Sequence, residues 1–465
     1  MIFCTYNILG CKISRKFIVS DVSESLHKRI INKDAKICVI GLGQVGLPTA
    51  LTFCDAGFDV IGNDIDENLL ATLNSKKSPF EEPNLQNSLE NFTDKKKFQT
   101  TPNIEKAVEN SDVLIICVAT PITENVRPDL SALEKVCKSL SELSLKDKLI
   151  IIESSIPPRT FEDLVLPLLN KKNDLVTKHW IAFVPERLAP GQAFSEIRTT
   201  PRVIGKIDEK SGLLAKALYE QFVDSEILVT SIKVAEISKL VENTFRDVNV
   251  AFANEVGLIC ENYGIDFAEL LRVCNSHPRV KLLNPGPGVG GPCLPKDPYL
   301  LLNPRGGKPI ESKIVNQARQ INDNMPSHVI ELAKKALKQQ NKDITKSTIT
   351  VLGVSYKANI SDTRLSPSEK IISQLVKKGC KVYVFDPKTK ENFGGETAMD
   401  VWDAIRKSDV LIIVTDHEEF KQLELNKIKD SMEQPIIVDT RRIFDRKEAE
   451  NLGINYLAVG YRGKL

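Results

Sequence analysis

The sequence predicts an α/β protein with two doubly wound parallel sheets, joined by a long central helix and a helical segment. Three observations carry that expectation. Short apolar runs of strand type alternate with helical patterns in two separate blocks, the first block opens on a strand, a glycine turn and a helix, and a strand-free stretch of helical periodicity lies between the blocks. At 465 residues the chain can hold two or three domains, each with its own core.

Residues 1–33 begin with an apolar stretch, Met1 to Gly10, that lacks a basic region before it and a small-residue cleavage site after it. They are expected to form an extension of a soluble protein, since no run reaches the roughly 18 consecutive apolar residues of a membrane span. Residues 34–228 should form the first sheet domain. Lys36 to Ile40 reads as a buried strand, Gly41-Leu42-Gly43-Gln44-Val45-Gly46 as a turn, Leu47 onward as a helix, and Phe58 to Asn63 as a second strand ending in Asp64. This is the pattern of a Rossmann-like dinucleotide site. Gly41 makes the tight turn, Gly43 lets the backbone approach a pyrophosphate, Gly46 lets helix and strand pack closely, and the helix N-terminus offers its N–H groups to the phosphates. Asp64 is placed to accept hydrogen bonds from ribose hydroxyls and would repel a 2′-phosphate, which favours NAD over NADP as the cofactor. Asp112 to Ala119, Lys148 to Ile152 and Trp180 to Val184 continue the sheet, with a helix over Leu130 to Leu143.

Residues 229–325 change character. Ser231 to Tyr263 reads as a long amphipathic helix with Val234, Ile237, Val241, Phe245, Val248 and Phe252 on or near one face, and a second helix follows Asp266. A helical unit between two sheets suggests a spacer that also dimerises, so a homodimer is expected. Residues 326–465 return to alternation, with strands at Ser347 to Gly353, Lys381 to Phe385, Asp409 to Val414 and Pro435 to Val438. No Gly-x-Gly-x-x-Gly follows the first of these, so this second Rossmann-like domain should bind something other than NAD.

Composition narrows the partner. Lysine plus arginine number 63 against 61 for aspartate plus glutamate, so no basic excess argues for nucleic acid or an acidic membrane, and a small-molecule substrate is expected. The 10 cysteines are scattered, with no CxxC pair and no zinc-like spacing, which suits a reducing cytoplasm and predicts no bound metal. Cys293 stands apart. It lies in Asn284-Pro-Gly-Pro-Gly-Val-Gly-Gly-Pro-Cys293-Leu-Pro-Lys-Asp297, too rich in glycine and proline for helix or strand, with a carboxylate four residues on. A backbone so constrained holds a thiol still, making Cys293 the candidate nucleophile.

Taken together, these residues resemble the UDP-glucose/GDP-mannose dehydrogenase family, from about Lys36 to the C-terminus. The motifs are Lys239-Leu-Val-Glu-Asn243-Thr-Phe-Arg-Asp-Val-Asn-Val-Ala-Phe-Ala-Asn-Glu255, the segment Gly288 to Asp297, and Gly353-Val-Ser-Tyr-Lys357-Ala-Asn-Ile-Ser-Asp362-Thr-Arg364-Leu-Ser-Pro367. The resemblance implies an enzyme that oxidises carbon 6 of a nucleotide-bound sugar twice, with NAD as cofactor and a UDP-sugar as substrate. It implies that Cys293 captures the aldehyde, that Lys239 and Asn243, one turn apart, face the oxygen gaining charge, and that Lys239 lowers the thiol pKa. Asp297 would orient water or act as general base, assisted by Thr120 and Glu186. Glu153 and Thr120 would contact the cofactor beside Gly41, Gly43, Gln44, Val45, Gly46 and Asp64. Lys357 and Arg364, with Arg441 or Arg442, would hold the nucleotide, Arg187 and Gly290 would touch the sugar, and Arg279 would reach a neighbouring subunit's substrate.

Pro185-Glu186-Arg187-Leu-Ala-Pro190-Gly191 has proline where the UDP-glucose branch carries a second glutamate, which moves the substrate toward UDP-N-acetyl-D-mannosamine, with UDP-N-acetylglucosamine or UDP-glucose as the alternatives. Arg159 stands where the family has glycine, and Pro292 precedes the cysteine where this branch often has histidine. A two-electron hydroxyacid dehydrogenase would need neither the cysteine loop nor a second sheet domain. A non-catalytic NAD and UDP-sugar sensor would not need Lys239, Asn243, Cys293 and Asp297 together.

Overall fold

The computed structural model describes residues 21–123, 125–170, 179–188 and 191–463. The first sheet has eight strands: β1 (Lys36–Ile40), β2 (Asp59–Asn63), β3 (Phe98–Thr101), β4 (Val113–Ile116), β5 (Leu149–Ile152), β6 (Trp180–Phe183), β7 (Arg202–Lys206) and β8 (Ile227–Ser231). Their order is β3-β2-β1-β4-β5-β6-β7-β8, parallel except where β7 meets β6. The second sheet is wholly parallel, with β9 (Thr348–Leu352), β10 (Lys381–Phe385), β11 (Glu396–Thr397), β12 (Val410–Ile413), β13 (Ile436–Asp439) and β14 (Asn455–Leu457) in the order β11-β10-β9-β12-β13-β14. In each sheet the strand order reverses beside the first strand, at β1/β4 and at β9/β12, and ligands bind in the crevice such a reversal opens.

The apolar runs are continuous because both faces are covered. Ile37, Val39, Val113 and Ile115 enter one core, while Cys38, Ile40, Leu114 and Ile116 enter the other. In the second sheet Ile349, Val351, Val410 and Ile412 pack under one layer of helices, and Leu411, Ile413 and Ile437 under another. No helix among the described residues is long and apolar enough to cross a membrane.

The segment expected as an N-terminal extension packs, in its second part, on the first domain. Asp21–Ile31 is a helix, and its Leu26 and Ile30 are buried in the core of the first sheet, with Arg29 Nη1 2.7 Å from Asp112 Oδ1. Residues 1–20 lie outside the described residues. The boundary expected at 325/326 falls inside a single helix, Lys313–Gln339. The first half of that helix packs on the central helix, and its second half, through Met325, Val329, Leu332 and Ala336, covers the second sheet.

The central helix, Ile232–Tyr263, runs 32 residues, or about 48 Å at 1.5 Å per residue. Ser231 caps its start, and Gly264, at φ 68, ends it. Its apolar stripe points outward: Val234, Ile237, Val241, Phe245 and Phe252 are exposed. The inward face is mixed: small and apolar residues such as Ala235, Leu240, Ala251 and Cys260 are buried together with Glu236, Lys239, Asn243, Thr244, Asp247 and Asn254. Several of these groups bond to neighbouring elements, as buried polar groups tend to. Arg319 Nη1 donates to Asp247 Oδ1 at 2.6 Å, Asn322 Nδ2 donates to the same oxygen at 2.9 Å, Asn254 Nδ2 donates to Asn322 Oδ1 at 2.9 Å, and Gly286 N donates to Asn254 Oδ1 at 2.8 Å.

Glu236 holds the elbow after β5, accepting from Arg159 N at 3.1 Å and Phe161 N at 2.9 Å. Arg159 takes φ 72 there, a left-handed conformation that explains why glycine would suit the position. Burial, with Glu162 and Asp163 nearby and only partly offset by the two N–H groups, lifts the Glu236 carboxyl from 4.5 to about 7. A raised carboxyl pKa opposes folding once pH exceeds the unfolded value, and the penalty grows until pH passes the folded value. Glu236→Gln removes that titration. Between pH 5 and pH 8, urea unfolding should show the stability of the variant gaining on the wild type by up to about 3 kcal/mol; a difference independent of pH contradicts the assignment.

Candidate active site

The glycine turn is built by contact. A Cβ at Gly46 would sit 1.8 Å from Gly41 O, and one at Gly41, which has φ 92, would sit 2.8 Å from Cys117 O. Gly43 has no neighbour within 4 Å, so its backbone faces open space at the β1/β4 crevice. Asp64, half-buried at the end of β2, accepts Leu42 N at 2.7 Å and Asp66 N at 3.0 Å, which fixes the acid beside the turn and leaves its outer lone pairs to solvent. Val45 precedes the first turn of the helix Gly46–Asp55. An open backbone, a helix start and a fixed acid together fit a dinucleotide.

Cys293 begins a tight turn. Its carbonyl accepts Lys296 N at 3.0 Å and Asp297 N at 2.8 Å, and the helix Asp297–Leu302 follows. Asp297 is fully buried, with Oδ2 accepting Asn243 Nδ2 at 2.6 Å and Oδ1 lying 3.5 Å from Lys296 Nζ. Lys296 Nζ also donates to Thr120 O at 3.0 Å, and Thr120 Oγ1 donates to Ser155 O at 2.5 Å. A continuous chain thus runs from the end of the first sheet through Thr120, Lys296 and Asp297 to Asn243 on the central helix. The sequence reading found every member except Lys296, whose partner Thr120 lies 176 residues away.

The thiol is not activated at rest. Cys293 is an exposed residue, but the groups crowded around its thiol desolvate it, and this, reinforced by the Asp297 charge, raises the Cys293 pKa above its ordinary value. Lys239 lowers the thiol pKa as expected, and Lys296 does the same, but burial and Asp297 outweigh them. Burial likewise raises the Glu186 carboxyl, against the opposing charges of Lys239 and Arg202. Glu186 is held by Leu188 N and by Arg202 Nη1 at 3.8 Å.

Three of the expected site residues also make contacts within the protein. Glu153 is turned inward, accepting from Tyr219 OH at 2.5 Å, Cys117 Sγ at 3.2 Å and Thr49 Oγ1 at 3.3 Å, so it braces the strands behind the glycine turn. The Arg187 guanidinium is engaged by both oxygens of Glu242 and by Pro201 O at 2.7 Å, which joins the loop after β6 to the central helix. A Cβ at Gly290 would sit 2.7 Å from Leu365 O, and Gly291 N donates to Arg364 O at 3.0 Å, so these glycines dock the cysteine loop onto the Tyr356–Pro367 segment. Pro190 lies outside the described residues.

The cationic candidates separate. Arg364, paired with Asp362 at 2.6 Å, extends its Nη2 to Gln44 Oε1 at 2.5 Å and so meets the cofactor turn as well as its own domain. Lys357 is exposed on the loop after β9. Arg441 donates to Val414 O at 2.8 Å and lies against Gly286 at the start of the cysteine loop, whereas Arg442 is tied to Asp266 at 2.8 Å and Val459 O at 3.0 Å. Arg279 is exposed on a surface loop. Among the described residues, no group of His, Cys, Asp or Glu is arranged to hold a metal ion.

The signs of these charges can be tested by alkylation. Asp297→Asn should shift the pH profile of Cys293 alkylation, followed by peptide mass spectrometry, to lower pH, and Lys239→Met should shift it to higher pH. Profiles that coincide with the wild type refute the electrostatic account.

Residues 35–223 match the NAD binding domain of the UDP-glucose/GDP-mannose dehydrogenase family, residues 233–324 its central domain, and residues 350–446 its UDP binding domain. The chain is 39% identical over 433 residues to a UDP-N-acetyl-D-mannosamine dehydrogenase of Methanocaldococcus jannaschii, covering 91% of this chain and 96% of that protein. Among solved structures, UDP-D-ManNAc dehydrogenase from Pyrococcus horikoshii superposes with a TM-score of 0.84 at 37% identity, covering 92% of this chain and 100% of that one. The UDP-N-acetyl-mannosamine dehydrogenase of Staphylococcus aureus does so with a TM-score of 0.80 at 32% identity, over 92% and 98% of the two chains. With all three domains in order and a cysteine turn joined to the central helix, the chain belongs to the UDP-glucose/GDP-mannose dehydrogenase family.

Proposed function

We propose that this chain oxidises carbon 6 of a UDP-N-acetylhexosamine by four electrons with NAD as acceptor, converting UDP-N-acetyl-D-mannosamine to UDP-N-acetyl-D-mannosaminuronate. The observation that carries the reading is the 2.6 Å bond from Asn243 to Asp297, which sets the Cys293 turn against the helix face bearing Lys239. The named relatives support the choice of sugar.

NAD, held at Gly41 to Gly46 and Asp64, supplies the hydride acceptor for each of two oxidations. The first converts the carbon 6 alcohol to an aldehyde, with the hydroxyl proton leaving to a base. The Cys293 sulfur then bonds to the aldehyde carbon, and Lys239 and Asn243 stabilise the oxygen as it gains charge. Burial and the Asp297 charge raise the thiol pKa, so its proton needs an acceptor, and the Asp297 carboxylate shares its turn. Glu186, made more basic by burial, is a second acceptor in the same cluster. Loss of a second hydride and the hydroxyl proton leaves a thioester, which water cleaves to the acid with return of the thiol. Lys357, Arg364 and Arg441 are assigned to the nucleotide.

The exposed apolar stripe of the central helix suits a homodimer, and Arg279, exposed on its loop, suits a side chain that serves the second subunit. Every cysteine named among the described residues is a free thiol, in keeping with a reducing cytoplasm.

Offered UDP-glucose, UDP-N-acetylglucosamine, UDP-N-acetyl-D-mannosamine and GDP-mannose, the enzyme should give its highest kcat/KM on the third and release two NADH per sugar; one NADH per sugar, or none, defeats the four-electron reading. Cys293→Ser should lower turnover by roughly three orders of magnitude while leaving substrate affinity within a few-fold, and near-normal turnover excludes the nucleophile.

A further inference from the structure

The second sheet repeats the frame of the first. Gly353 N donates to Phe385 O at 2.9 Å, as Gly41 N donates to Asn63 O at 2.8 Å. Asp386, just past β10, accepts Val354 N at 2.7 Å, as Asp64, just past β2, accepts Leu42 N at 2.7 Å. The two differ in what fills the turn. Asp64 is half-buried beside an open backbone, whereas Asp386 is buried against the ring of His417, which is wholly excluded from solvent.

The hydrogen bonds fix the form of that ring. Asn359 N lies 3.0 Å from His417 Nδ1, and a backbone N–H can only donate, so Nδ1 carries the lone pair and Nε2 the proton. Nε2 faces Asp386 Oδ2 at 3.1 Å and Ser355 Oγ at 3.0 Å. Ser355 Oγ in turn approaches Lys357 O at 3.2 Å, and Asn359 Oδ1 accepts Glu418 N at 3.1 Å. Burial raises the Asp386 carboxyl, but His417, Val354 and Lys388 more than offset it and keep it a good acceptor.

Serine, histidine and aspartate together invite comparison with a hydrolytic triad, and the geometry rejects it. Serine and aspartate meet the same ring nitrogen, the other nitrogen is taken by backbone, and all three side chains are buried. What the ring does is grip both ends of the loop that carries Lys357.

We infer that His417 is a positioning residue for the sugar nucleotide: in its Nε2-protonated form it fixes the Ser355–Asn359 loop so that Lys357 is presented to the nucleotide. The inference rests on the assignment of Lys357 above, so both are tested together. His417→Gln places an amide near Nε2 and abandons Asn359, whereas His417→Asn keeps an acceptor near Nδ1. The first should raise the KM for UDP-N-acetyl-D-mannosamine about tenfold, the worth of one hydrogen bond, with kcat and the KM for NAD within twofold, and the second should restore most of the loss. Unchanged sugar KM in His417→Gln, or equal rises in both KM values for both variants with a lowered Tm, overturns the inference. Lys357→Ala, run alongside, should raise the same KM; no change there overturns the lysine assignment whatever His417→Gln does.

Discussion

The structure turns on the polar face of the central helix. A 32-residue helix would ordinarily bury its apolar stripe, yet this one buries Lys239, Asn243, Asp247 and Asn254. Each buried polar group needs a partner at a fixed distance, and that requirement sets the rest of the site. Asn243 dictates where Asp297 lies, Asn254 where the cysteine loop starts, and Asp247 where Arg319 and Asn322 bring in the next long helix. An apolar interface would tolerate sliding; directional bonds do not.

Electrostatically the cleft is poised rather than charged. Lys239 and Lys296 act on the thiol against Asp297 and Glu186, and the loss of solvation tips the balance toward the protonated thiol. The buried Arg202, stacked 5.6 Å over the Tyr219 ring and 3.8 Å from Glu186, supplies the countercharge behind this arrangement.

How much of this could be read in the sequence follows from physics. Strands β4, β5 and β12 stand out because both faces are covered and every residue is apolar, and β1 and β13 because only an end residue, Lys36 or Asp439, is charged, whereas β8, largely exposed, and β11, two residues long, leave no such mark. The glycine turn is legible because only glycine fits where a Cβ would strike Gly41 O, and Cys293 with Asp297 because four residues make one turn. Periodicity reveals that the central helix has two faces but not which is inward. Glu153 and Arg187 show the converse limit, since a charged group beside a motif bonds to the nearest partner in space, here Tyr219 and Glu242, which lie far along the chain.

One feature of the backbone sets how the molecule can flex. The helix Lys313–Gln339 belongs to both halves, so the two sheets cannot swivel on a slack tether; they are mounted on a common shaft. That shaft has a weak point at Pro326, which lacks the N–H that would engage the Asn322 carbonyl, and Gly288 of the cysteine loop rests against that same carbonyl. The break in the ladder of this shared helix therefore lies directly beside the loop that bears the sulfur, so the backbone that joins the two halves and the backbone that seats the nucleophile meet at one carbonyl.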